Sequence, residues 1–183
     1  MCNMRDRFIG CAIFRFFRKV MIFFFSLFYL STSSVSALVV SPMMASEGDS
    51  SYSILIDKSD YQLSLFLGDE LVKNYSIGIG KNSGDKQRPG DMRTPIGVFR
   101  VDGMIDARSW THDFGDGKGE IVGAYGPWFI SLATPWEGIG IHGTHDPHSI
   151  GTRVSEGCVR MFNEDVEELK EYLFLGALVE IRE

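Results

Sequence analysis

The sequence predicts a mainly β single domain, a sandwich or half-open barrel, with one C-terminal helix. Three observations carry this. A period of two dominates from Tyr52 onward, turn residues cut it into short segments, and only one stretch near the C-terminus has a helical period. The chain has 183 residues, 44% of them hydrophobic. That suffices for one domain with a core, is too short for two, and excludes wholesale disorder.

Residues 1–37 read as an export segment. Arg15, Arg18 and Lys19 precede an uncharged run from Val20 to Leu30, and Val35-Ser36-Ala37 fits the small-x-small pattern of a cleavage site. The alternative is an uncleaved membrane anchor reaching about residue 40, because residues 20–40 hold no charge. On either reading residues 38–183 work outside the cytoplasm, in a periplasm or cell wall, and touch a membrane only through this segment. Five of the 18 Lys+Arg and one of the 24 Asp+Glu lie in residues 1–37, which leaves 13 against 23 beyond them, a net of −10. A body that acidic repels a polyphosphate, so no nucleic-acid partner is expected.

Leu38–Ser51 is a short polar linker, and residues 52–183 form the domain. Ser53–Asp57 is an apolar strand. Gln62–Leu67 alternates with Leu63, Leu65 and Leu67 on one face, and Leu71–Ile79 alternates again. Turn signals at Lys58–Asp60 and Gly68-Asp69 join the three into an antiparallel meander. Four glycines and Pro89 make Gly78–Arg93 a loop, and Thr94-Pro95-Ile96-Gly97 leads into a strand at Val98–Val101. Asp102–Gly126 is rich in Gly and Asp without a period, a long loop suited to a lid. Strands follow at Trp128–Leu132 and Gly138–His142. Asn163 is the expected cap of the helix; Glu164 and Asp165 suit its positive end, and Val166, Leu169 and Leu173 share a face. Gly176 stops it before a last strand at Ala177–Ile181.

The chemistry concentrates in Ile141–Met161. Cys2 and Cys11 belong to the export segment, so Cys158 is the one cysteine of residues 38–183. His142 ends a strand, and Cys158 follows sixteen residues later, after a turn-rich loop. A strand–loop–strand return sets two such positions side by side, where an imidazole draws the proton from a thiol and leaves a thiolate–imidazolium pair able to attack a carbonyl carbon. Gly157 allows close backbone approach, and the amides around Cys158 suit a developing oxyanion. The Gly143 carbonyl is placed to accept Nδ1–H of His142. Arg160, two residues past Cys158 on the same strand face, suits a bidentate contact with a substrate carboxylate. Spacing alone weighs this equally against a core cysteine with an unrelated surface histidine.

Other chemistries fit the pattern less well. His142, His145, His148 and Cys158 contain the donors of a tetrahedral zinc site, but the turn residues between them put His145 and His148 on a loop surface. A papain-type peptidase places its cysteine at a helix start with histidine downstream, the reverse of this order. A non-catalytic wall-binding module would carry an inert Cys158. Asp113, Asp116 and Glu120 lack the alternating oxygens of a calcium loop. Trp110, Phe114, Tyr125 and Trp128 suit a groove or a core equally.

His142-Gly143-Thr144, a loop, and Ser155-x-Gly157-Cys158-Val159-Arg160 resemble the signature of the L,D-transpeptidase catalytic domain, the YkuD family. Thr94-Pro95-Ile96-Gly97-Val98-Phe99 and Gly123-Ala124-Tyr125-Gly126-Pro127-Trp128 resemble the family's upstream segments. The resemblance implies acyl transfer on peptidoglycan stem peptides without metal, nucleotide or other cofactor. Cys158 would attack the carbonyl of the third stem residue and release the terminal D-alanine. His142 would act as base and then acid, oriented by Gly143. Arg160, Tyr125, Ser155 and Gly157 would be on the substrate side. A neighbouring stem as acceptor gives a 3→3 cross-link, a protein lysine gives anchoring to the wall, and water gives carboxypeptidase activity. In one departure, Glu156 stands where many members have histidine. That removes a second imidazole from the motif and bears on acceptor preference.

Overall fold

The computed structural model describes residues 51–183 except Asp116. The export segment and all of the linker but Ser51 lie outside the described residues. Of the two expected architectures, the half-open barrel is found: a curled eight-stranded sheet with one helix.

Strands β1 (Tyr52–Asp57), β2 (Gln62–Leu67) and β3 (Glu70–Ser76) form the expected meander. Ile54, Ile56, Leu63 and Leu65 turn inward and are buried, as their period of two requires. Beyond them β3 is an edge, with Leu71, Val72 and Lys73 exposed. The strand expected to run on to Ile79 ends at Ser76, because the Ile77 carbonyl turns to the Gly151 amide at 2.9 Å and Gly78 pairs with Arg160. A separate strand β4 (Ile79–Gly80) then joins another partner.

Strand β5 runs Gly97–Asp106, well past the expected end at Val101. Its register shifts between Val101 and Gly103, and it continues antiparallel to β8 (Trp128–Leu132). Asp102-Gly103 opens the segment expected as a long loop; here it forms a bulge in the strand, and a Cβ at Gly103 would stand 2.7 Å from Ser131 Oγ. The long loop is also partly ordered, with a hairpin of β6 (Thr111–Asp113) and β7 (Glu120–Val122).

Strand β9 (Gly140–His142) pairs antiparallel with β8. After it come β10 (Arg153–Ser155), parallel to β4, and β11 (Val159–Arg160), parallel to β9. The last strand, β12 (Leu178–Arg182), inserts between β1 and β5 with Val179 and Ile181 buried. Helix α1 (Asn163–Tyr172) packs on β8 and β9 through the fully buried Val166 and Leu169. Each such side chain contributes about 1.5–3 kcal/mol through burial. Contrary to the sequence expectation, the cap position is Phe162 with no side-chain capping bond, and Asn163 is the first helical residue. The helix ends at Tyr172, four residues short of Gly176.

Candidate active site

The parallel pairing of β9 with β11 sets Arg160 opposite His142, and the Met161 amide donates to the His142 carbonyl at 2.8 Å. Arg160 also exchanges two backbone hydrogen bonds with Gly78, both 2.8 Å. His142 is therefore fixed on a strand, and Cys158 sits at the turn that enters the neighbouring strand. Both side chains line a cavity of about 800 Å³ together with Arg160, Tyr125 and Ser155.

The turn into Cys158 is held by Ser155. Its buried hydroxyl donates to the Cys158 carbonyl at 2.6 Å and accepts the Gly157 amide at 3.1 Å. Gly157 has φ 142°, and a Cβ there would meet the Arg93 carbonyl oxygen at 2.9 Å. Both constraints exclude a side chain. The segment around Thr94 thereby braces the Cys158 turn from behind, which gives a structural reason for its place beside the other motifs.

The imidazole of His142 is buried, stacked on Phe129 with centroids 5.6 Å apart and met edge-on by Tyr125 at 4.9 Å. Its Nδ1 lies 2.6 Å from the Gly143 carbonyl oxygen. A carbonyl only accepts, so Nδ1 carries the hydrogen and the neutral ring has Nε2 free to take a proton. Burial lowers the His142 pKa to about 3; the Gly143 bond opposes this, and the charges of Arg160 and His112 add to it.

Cys158 is partly exposed, yet its sulfur is desolvated in the cavity. The thiol donates to the Gly138 carbonyl at 3.0 Å. Burial pushes its pKa up to about 11, opposed by the Gly140 amide and the Arg160 cation. Both shifts favour a thiol and a neutral imidazole over the ion pair that spacing suggests.

Arg160 is 7% exposed, and its Nε has no hydrogen-bond partner. Its guanidinium lies 5.2 Å over the Phe114 ring, and burial lowers its pKa. A buried cation with an open donor, beside the thiol, is suited to an anionic ligand. Lys86 adds a second, buried cation to the cavity wall, paired with Asp91 at 2.9 Å. Tyr125 is raised in pKa by burial and by the nearby Cys158 and Glu156.

His145 and His148 are exposed and turn away from any shared site: His145 Nδ1 lies 3.4 Å from the Ala124 carbonyl, and His148 sits in the turn Pro147–Ser149. Among the described residues, no three His, Cys, Asp or Glu side chains converge as metal ligands. Asp113 accepts the Gly115 amide, and Asp116 lies outside the described residues. Sequence reading missed His112 and Lys86, both in the cavity wall.

A half-open barrel with a thiol and an imidazole delivered from neighbouring strand ends is a thiol-site β domain. The chain belongs to the L,D-transpeptidase catalytic domain family (YkuD), whose profile matches residues 51–181. It is 35% identical over 130 residues to the YkuD protein of Bacillus licheniformis, which carries the L,D-transpeptidase name, and 32% identical to its Bacillus subtilis counterpart. Each match takes in 71% of this chain and 65% of the relative, so the chain spans just under two thirds of their length. The fold is shared with an L,D-transpeptidase of Xylanimonas cellulosilytica (20% identity, TM-score 0.54, 74% of this chain and 62% of that one). It is shared too with L,D-transpeptidase 3 of Mycobacterium tuberculosis bearing a faropenem-derived adduct (17% identity, TM-score 0.55, 73% and 60%).

Proposed function

We propose that this domain is a peptidoglycan L,D-transpeptidase that moves the acyl group of a tetrapeptide stem onto an amine and forms 3→3 cross-links outside the cytoplasm. The observation that carries the reading is the shared cavity of Cys158 and His142, with Nδ1 of His142 on the Gly143 carbonyl. Family membership supports the same chemistry. Sulfur of Cys158 attacks the carbonyl carbon of the third stem residue as its proton passes to Nε2 of His142. The imidazolium then gives that proton to the nitrogen of the departing D-alanine, the C–N bond breaks, and a thioester remains. The acceptor amine attacks the thioester carbonyl and yields its proton to His142, which returns it to sulfur as the C–S bond breaks. Arg160 holds the D-alanine carboxylate during the first step.

The test is incubation of the purified protein with disaccharide-tetrapeptide and analysis of products by mass. A cross-linked dimer with loss of D-alanine is expected. Tripeptide alone would make the protein a carboxypeptidase, and no product would end the reading. Cys158→Ser is expected to abolish turnover with the fold intact. The faropenem-derived adduct on the Mycobacterium tuberculosis neighbour supports a further outcome: faropenem adds one adduct to the protein and none to Cys158→Ser.

A further inference from the structure

With Glu156 in the cysteine motif, the sequence offers no second imidazole beside Cys158, but the fold brings one from elsewhere. His112, on β6, points into the cavity with its Nε2 3.4 Å from Glu156 Oε2 and its Nδ1 3.1 Å from the Tyr125 hydroxyl. An ionised carboxylate only accepts, so Nε2 carries a hydrogen toward Glu156, while Nδ1 shares a hydrogen bond with the Tyr125 hydroxyl. Both nitrogens thus face a partner, one across a charge contact and one across a hydrogen bond. Two residues along the same hairpin, Phe114 covers the Arg160 guanidinium. The hairpin therefore contacts the nucleophile segment on both sides of Cys158, at Glu156 and at Arg160. Tyr125, at the far end of the bridge, meets the His142 ring edge-on.

We infer that His112 is a positioning residue for the acyl transfer, bridging Glu156 to Tyr125 so that the β6–β7 hairpin docks on the Cys158 segment and the Tyr125 hydroxyl is held at the site. The inference rests on the acyl-transfer reading above. It assigns Glu156 a task within the site, in place of the histidine that many relatives carry there. A purely packing role is the rival, since the His112 ring also sits 4.4 Å from Phe114 and 5.6 Å from Tyr125.

Two substitutions separate the roles. His112→Phe keeps an aromatic ring and removes both nitrogens; His112→Gln loses the ring and keeps a donor and an acceptor. The expected result is at least a tenfold loss of kcat/KM on disaccharide-tetrapeptide for His112→Phe, with unchanged melting temperature, and a loss within threefold for His112→Gln. Glu156→Ala should match His112→Phe, and the double variant should be no worse than either. Near-normal kcat/KM in His112→Phe, or losses that multiply in the double variant, would overturn the inference. Hydrogen exchange across residues 111–122 gives a readout that needs no turnover. His112→Phe and Glu156→Ala should speed it equally, and unchanged exchange would also overturn the bridge. A wild-type protein that is inactive on stem peptides, yet shows this shared exchange response, would remove the acyl-transfer reading and leave the bridge standing.

Discussion

The side-chain oxygen of Asn163 accepts the backbone amide hydrogen of Thr144 at 2.8 Å, tying the first residue of α1 to the segment that leaves His142. The contact is close on every side. A Cβ added to Gly143 would collide with that same oxygen and with Pro127 Cδ at 2.9 Å, and one added to Gly126 would strike the Gly143 backbone. Thr94, Thr144 and Ser155 are buried around the site with their hydroxyls engaged, so the backbone carrying His142 and Cys158 is held by short side chains rather than by long strands.

Removing the Asn163 oxygen has a calculable consequence. Thr144 is 2% exposed, and an unsatisfied buried donor costs about 1–3 kcal/mol, the low end applying where water enters the space that the exposed Asn163 side chain leaves. Asn163→Asp keeps an acceptor and should lose less. Denaturant unfolding checks this, and kcat/KM should fall in parallel because the Gly143 carbonyl that orients His142 shifts. Equal stability of the Ala variant and wild type would show that the bond holds nothing.

How much of this was readable in the sequence depended on what fixed each residue. Cys158, His142, Gly143 and Arg160 lie on one short stretch whose spacing the chemistry itself constrains, and the strands around them are set by a period of two. His112 follows no such rule. Its place depends on a hairpin of two three-residue strands separated by a glycine-rich turn, too short for any periodicity to register. Asn163 misled because Asn before an apolar period is a common capping signal. Its oxygen instead serves the Thr144 amide, a tertiary partner nineteen residues away that no local pattern reveals.

The resting protonation state predicts an unusual reactivity profile. With the Cys158 pKa raised to about 11, the thiolate fraction rises about tenfold per pH unit over the range below that value. Alkylation by iodoacetamide should therefore be slow at pH 7 and climb steadily to pH 10. Alkylation rates measured by intact mass decide this. A plateau from pH 6 upward would mean a preformed thiolate–imidazolium pair.

Acid should destabilise the fold through His142. Its pKa is about 3 in the folded protein against 6.5 for the free side chain. The unfolded chain thus binds a proton that the folded one refuses, and stability falls as pH drops from 6.5 toward 3. Between pH 7 and pH 5, above the carboxylate range, the loss from this one group is about 2 kcal/mol. His142→Gln has no such proton to bind, so the stability difference between wild type and variant should shift by that amount in the variant's favour across the interval. Parallel stability–pH curves for the two proteins would contradict the depressed pKa.

Arg160 separates binding from stability. Its Nε is buried without a partner and its guanidinium rests on Phe114, so the folded state gains little from the charge and bears its desolvation. Arg160→Met, similar in length and apolar, should melt at or above the wild-type temperature while turnover on tetrapeptide collapses. Arg160→Lys keeps the charge but not the fork of donors that grips a carboxylate. It should lose at least tenfold in kcat/KM, about 1.4 kcal/mol of transition-state stabilisation. Stem peptides whose terminal carboxylate is amidated give the deciding comparison. Wild type should discriminate against them at least tenfold, and Arg160→Met should treat both alike. Equal discrimination by wild type and variant would place the carboxylate elsewhere in the cavity, with Lys86 the next cation to test.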